Sequence, residues 1–236
     1  MLHSHLHNSA AHPAHGIFTT DDTTPTPPPT GPGPAPIAPL PPAPTDMTVI
    51  RLPNHADNSF GTDLAHDVKI IGGVESDSVD YYGPAYAEID TRSGNDYASF
   101  TGSGMGVANL ASGDDNGYAS GNGHWQLNGG GGNDSFEWGG NYSGGTGTVE
   151  FNGGSGTNSY TLFGTEGNAT IVITHLHAGE HIDVYADDTV LVQDSNHSFM
   201  AINEDGTVTH VTMGGHHAHM FTDGTVVVHY GYDGKG

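Results

Sequence analysis

Recurring Asn and Asp residues are the first candidates for chemistry, because carboxylate, amide and carbonyl oxygens are the ligands of hard divalent cations. The pairs Asp57-Asn58, Ser76-Asp77, Asn95-Asp96, Asp114-Asp115 and Asn133-Asp134 follow one another every 19 residues without a break. A sixth, Thr157-Asn158, comes after 24 residues, so that coil carries a five-residue insertion. Glycines lead into several of them, most fully in Gly129-Gly-Gly-Gly-Asn-Asp-Ser-Phe-Glu137. Gly153-Gly-Ser-Gly-Thr-Asn-Ser-Tyr-Thr161 has the same form with Asn for Asp, and Ser93-Gly-Asn-Asp and Ser112-Gly-Asp-Asp are shorter versions. Glycine reaches backbone angles that side chains forbid, so such a loop can turn its carbonyls inward. The candidate ligands are Asp77, Asp96, Asp115 and Asp134, with Asn58, Asn95, Asp114, Asn133 and Asn158 in the same turns. Stacked one strand apart, neighbouring carboxylates would repel by roughly 3 kcal/mol at an effective dielectric near 20. A ladder of this kind opposes folding unless cations lie between its members. The alternative is a glycine-rich solenoid whose Asp and Asn serve only as turn formers.

The elements that must carry the ladder are short. Two residues after each pair stands a small or apolar residue: Phe60, Val79, Ala98, Gly117, Phe136 and Tyr160. Half a period later comes an alternating run, among them Val68-Lys-Ile-Ile, Val107-Ala-Asn-Leu, Trp125-Gln-Leu and Val149-Glu-Phe. Each coil therefore offers two strands and two glycine-rich turns, and it cannot bury its apolar face alone. Stacking solves this, since every coil then satisfies its neighbour's backbone. The expectation is an all-β chain, a parallel β-helix or β-roll of about 19-residue coils, with six coils spanning roughly 29 Å. The repeat body runs over residues 47–174. Residues 1–46 form a His-rich tract and a Pro-rich arm, disordered or held in an extended polyproline spacer. In residues 175–236, Asp187, Asp205 and Asp223 recur every 18 residues among alternating strands. That section reads as a β-rich cap, either an antiparallel meander with Asp-Gly turns or further coils.

Composition narrows the function. Four basic residues stand against 27 acidic ones, for a net charge of −23. Nucleic-acid binding needs clustered Lys and Arg, so it is excluded, and an anionic membrane is an unfavourable surface. Cysteine is absent, which removes disulfides and thiolate metal sites. No apolar run approaches the ~20 residues of a membrane-spanning helix. The first residues lack the basic start and apolar stretch of a signal peptide, so export would use another route.

The nonapeptide at Gly129–Glu137 fits G-G-x-G-x-D-x-U-x at every fixed position, and in this it resembles the calcium-binding turn of RTX proteins. The resemblance covers about residues 56–161. Beyond them, Thr174-His-Leu-His-Ala-Gly-Glu-His-Ile-Asp-Val is similar to the segment that closes many RTX blocks. It implies a right-handed parallel β-helix or β-roll, several Ca²⁺ ions in one row, and export by the type I secretion machinery through a C-terminal signal. The opposite turns, such as Gly121-Asn-Gly-His, lack the Asp, hence one row rather than two.

Seventeen histidines are the second signal. His175, His177, His181, His217 and His219 are candidate ligands for Zn²⁺, Cu²⁺ or Ni²⁺, although no pattern fixes a geometry. No nucleophile motif is present and basic residues are nearly absent, so no enzyme is expected. The expected function is a secreted calcium-binding structural protein that assembles with itself, end to end or through its N-terminal arm, into an extracellular filament, surface layer or matrix fibre. The alternatives are a ligand-binding module of the adhesin or ice-binding kind, and a His-rich transition-metal binder.

Overall fold

The computed structural model describes residues 37–230, except 140–144, 164–166, 178, 186–189, 196–197, 203–206, 216–217 and 223–225. The His-rich tract and most of the Pro-rich arm lie outside the described residues; positions 37–46 contain neither strand nor helix. From there the chain alternates between two sheets. The first coils are β1 (Thr48–Arg51), β2 (Asn58–Thr62), β3 (Val68–Ile71), β4 (Asp77–Tyr81), β5 (Tyr86–Asp90) and β6 (Tyr97–Gly102). The middle ones are β7 (Met105–Ser112), β8 (Asn116–Gly121), β9 (His124–Gly131) and β10 (Ser135–Trp138). The last are β11 (Thr148–Ser155), β12 (Ser159–Phe163), β13 (Thr170–Leu176) and β14 (His181–Tyr185).

Odd strands pair in parallel in one sheet and even strands in the other, which makes a parallel β-solenoid. Register follows the sequence period: Ser78 faces Tyr97, and Tyr97 faces Asn116. The solenoid has seven turns where the pair count gives six, because β1 precedes the first repeat and β14 completes the last. The five-residue insertion can be placed. Ala119 pairs with Trp138, whereas the Gly147 N–H donates to Gly121 O, so the extra residues lie between Trp138 and Gly145. A shorter insertion, not apparent in the repeat, sits at the same corner one turn later, between Leu162 and Gly167.

Inward positions alternate along most of the described solenoid strands and build one apolar column. Coils exchange bulk. A Cβ on Gly117 would come within 2.6 Å of Phe136 and 2.8 Å of Leu127, so these neighbours fill the space that Gly117 leaves. Phe100 stacks on Trp125 with ring centroids 4.7 Å apart. In β7 the inward residues are Gly106, Ala108 and Leu110, while Val107 faces outward. Phe100 closes over Gly106.

After β14 the coils stop. β15 (Val190–Ser195), β16 (Ser198–Ile202) and β17 (Val208–Gly215) form an antiparallel meander, and β17 joins β13 in parallel. β18 (Ala218–Thr222) and β19 (Val226–Tyr230) form a hairpin that lies antiparallel to β14. Of the two readings of the C-terminal section, the structure takes the antiparallel one. The other end differs, since β1 and β2 each terminate their sheet and Val49 is 51% exposed.

Glycine is obligatory where coils touch through backbone. At Gly113 φ is +144°, and an added Cβ would lie 1.5 Å from Gly94 O. Gly131 has no such φ, and its nearest neighbour is a serine hydroxyl at 3.3 Å. Gly113→Ala should cost about 3 kcal/mol or more, and Gly131→Ala under about 1 kcal/mol. Urea midpoints with unchanged slopes measure the difference.

Candidate cation site at the aspartate corner

The corner between the odd and even strands holds every Asn-Asp pair. Backbone pairing persists into it as far as Gly94, whose N–H donates to Ser112 O, and resumes at Asn116, whose N–H donates to Asp96 O. One amide in the coils of Asp77 and Asp96, and two in each of the next three, are left for side chains. The outer residue of each pair donates back one coil: Asp114 N to Asn95 Oδ1 (2.9 Å), Asn133 N to Asp114 Oδ1 (2.7 Å) and Thr157 N to Asn133 Oδ1 (3.0 Å). The inner residue donates forward: Asp77 N to Asp96 Oδ1 (2.8 Å), Asp96 N to Asp115 Oδ1 (2.8 Å), Asp115 N to Asp134 Oδ1 (3.0 Å) and Asp134 N to Asn158 Oδ1 (2.9 Å). Adjacent residues thus build two ladders of opposite polarity, one exposed and one buried.

The buried ladder is capped by uncharged or extra groups. At its start Asn58 Nδ2 donates to Asp77 Oδ1 at 2.5 Å. At its end Glu180 accepts from Asn158 N (3.2 Å), Asn158 Nδ2 (2.6 Å) and His177 N (2.8 Å). Glu180 is 2% exposed, and sequence reasoning missed it as a ladder member. The signal was the Ala-Gly-Glu turn that follows the last repeat, where Gly179 takes φ +93°.

Each buried Asp spends only one oxygen on this network. Asp77 Oδ2 still finds Gly73 N at 2.6 Å. The residues at the position of Gly73 in the next coils, Arg92, Ala111 and Gly130, are left-handed (φ 75°, 71° and 104°), whereas Gly73 is not. There Oδ2 of Asp96, Asp115 and Asp134 has no hydrogen-bond partner although it is buried. The Thr91 hydroxyl beside Asp96 donates instead to Leu110 O at 3.2 Å. Burial, reinforced by the charges of Asp134, Asp96 and Asp114, pushes Asp115 up to about 7. Burial, then Asp114 and Glu180, pushes Asp134 up to about 6, and burial also raises Asp96.

These features fit a cation in part. The free oxygens are carboxylate, the loop is cradled by glycine, and a Cβ on Gly129 would lie 2.0 Å from Asp134 Oδ2. Among the described residues no three Asp, Glu or His side chains converge on a point. A cation here would therefore draw on one or two carboxylates and complete its shell from carbonyls and water. The nine Asp and Asn candidates are all brought to this one corner.

The histidines behave differently. His177 Nδ1 lies 3.5 Å from Glu180 and His181 Nε2 lies 3.6 Å from Asp183, so each faces a carboxylate of its own. His217 and the side chains of His175 and His219 lie outside the described residues. Strand register does set His181 opposite His229, and His229 opposite His219. Comparison of the chain with family models, with curated proteins and with solved structures gave no match.

The raised carboxyls fix the sign of the pH dependence. The folded chain keeps protons that the unfolded chain has released, so the contribution of these two carboxyls to stability is greatest below about pH 4 and is lost as pH rises through 6 and 7. Asn158 shows that an amide can hold the same place in the ladder. In calcium-free buffer at pH 8, Asp115→Asn should raise the unfolding midpoint by about 2–8 °C, the shift that ~1–2 kcal/mol gives in a chain of this size. Near pH 4 the gain should vanish. Thermal melts at both pH values check this.

Proposed function

We propose that this chain is a calcium-binding structural protein of the extracellular space or cell surface that assembles with copies of itself. One observation carries the reading: a buried column of four aspartates in which three Oδ2 atoms have no partner. Such oxygens must be protonated or matched by cations. At neutral pH, in a milieu rich in calcium, the cation is the better match, and the Gly129–Glu137 nonapeptide supports it. On this reading Asp96, Asp115 and Asp134 supply charge, with carbonyls of the glycine turn and water completing the shell. Residues of the RTX type also bring the expectation of type I secretion.

Self-assembly draws support from the asymmetry of the two ends. The first coil is mostly exposed, and the outer edges of β1 and β2 offer unpaired backbone groups to an incoming strand. At the other end the last coil is followed by further strands, β17 parallel to β13 and β19 antiparallel to β14. Assembly would therefore start from the N-terminal end. The charge of −23 opposes it until cations screen or bridge the copies.

Calcium at about 10⁻⁴–10⁻³ M, the range of extracellular modules, should raise the strand content and the unfolding midpoint of the chain at pH 7.5. Circular dichroism during a calcium titration, with light scattering on the same samples, follows folding and then assembly. Strand content indifferent to chelator would sink the calcium reading, and a folded chain that stays monomeric at high concentration would sink the structural one.

A further inference from the structure

The outer face of the even-stranded sheet carries a groove of about 530 Å³ that begins at Tyr97, Asn116 and Ser135, one residue past the buried aspartates. It crosses β4, β6, β8 and β10, and its walls are Tyr82, Tyr97 and Tyr118. Strand register sets Asp80, Ser99, Tyr118 and Glu137 in one row across its floor. The Ser99 hydroxyl donates to Asp80 Oδ1 and fixes that carboxylate. The remaining lining side chains are hydroxyls and an amide, with no aliphatic side chain and no Lys or Arg. Tyr82 is half exposed, so its ring is open to a ligand.

We propose that this groove binds an extended pyranose oligosaccharide that is uncharged or carries amines, and that it binds without cleaving. Three phenol rings give flat faces for the C–H side of sugar rings together with a polar tip for their hydroxyls. Alternating hydroxyl, amide and carboxylate groups match the donors along a glycan's edge. Strands stand about 4.8 Å apart, close to the length of one sugar in an extended chain, so successive coils meet successive sugars along the solenoid axis. The two carboxylates favour amines and repel uronates or sulfates. Asp80 and Glu137 are three strand spacings apart, about 14 Å. Carboxylates that flank one glycosidic bond stand about 5–10 Å apart, so this pair does not form a hydrolytic site.

The occupant could instead be the chain's own Pro-rich segment, since aromatic grooves also take polyproline helices. That segment has no basic residue to meet Asp80 and Glu137, which favours the glycan.

Calorimetric titration of the full chain tests the proposal, at a calcium level where circular dichroism shows it folded. The titrants are cellohexaose, a glucosamine hexamer, a galacturonate hexamer and a synthetic peptide of residues 24–44. The expected result is saturable binding of cellohexaose, the glucosamine hexamer or both, and none of the uronate. Tyr97→Ala and Tyr118→Ala should each weaken it by at least about tenfold, and Tyr97→Phe much less. Glu150→Gln, on the other sheet, should leave it unchanged. No binding of either favoured hexamer, equal binding of the uronate, affinities untouched by the tyrosine changes, or the peptide alone filling the groove would each overturn it. The calcium reading fails separately, since that failure appears as folding indifferent to chelator.

Discussion

Backbone amides turn away from both sheets at one corner, one in the coils of Asp77 and Asp96 and two in each of the next three, and the rest of the structure depends on how they are satisfied. A buried N–H without a partner costs about as much as a lost hydrogen bond, and this corner repeats through the stack. The chain answers with a side-chain acceptor for each amide, outward from Asn95, Asp114 and Asn133 and inward from Asp96, Asp115, Asp134 and Asn158. Because each acceptor reaches a different coil, the ladders also lock the register of neighbouring turns. Asn and Asp at a strict spacing are thus required by the backbone before any ligand is considered.

The inward ladder creates a second constraint. An amide at every rung would satisfy the same N–H groups, as Asn158 does, yet four consecutive rungs are carboxylates. Burial is the main cost, ahead of the repulsion between rungs, since it is the largest influence on Asp115 and Asp134. Choosing Asp over Asn under those conditions makes the column a receptor for positive charge, either protons or metal ions. Around it the core remains ordinary: aromatic bulk such as Phe100 and Phe136 fills what Gly106 and Gly117 leave open, and glycine permits backbone contact at Gly113 and Gly132.

Much of this was legible in the residues. The 19-residue spacing carried the parallel solenoid, the two strands per coil and the common corner of all nine Asp and Asn candidates. What stayed hidden depended on phase and on polarity. The alternating run Val107-Ala-Asn-Leu does not itself say which residues face inward; register sets Gly106, Ala108 and Leu110 inside, and Phe100 takes the space beside Gly106. The three-residue insertion after Leu162 left no mark because the pair that would have reported it is replaced by Glu180. Repulsion was visible in the spacing of the aspartates, whereas their hydrogen bonds to backbone amides were not. The histidine clusters gave no geometry in the sequence, and in the structure His177 and His181 each turn to a separate carboxylate.

The most direct measurement is the number of protons released when calcium binds, from calorimetry at pH 6.5 in buffers of different ionisation enthalpy. Asp115 titrates near 7 and Asp134 near 6 in the cation-free fold, so at that pH the column holds protons that calcium must displace. The expected result is release of roughly one proton per chain, falling toward zero at pH 8.5 and reduced in Asp115→Asn. Calcium binding without proton release, or release unchanged by that substitution, would contradict a cation site in the buried aspartate column.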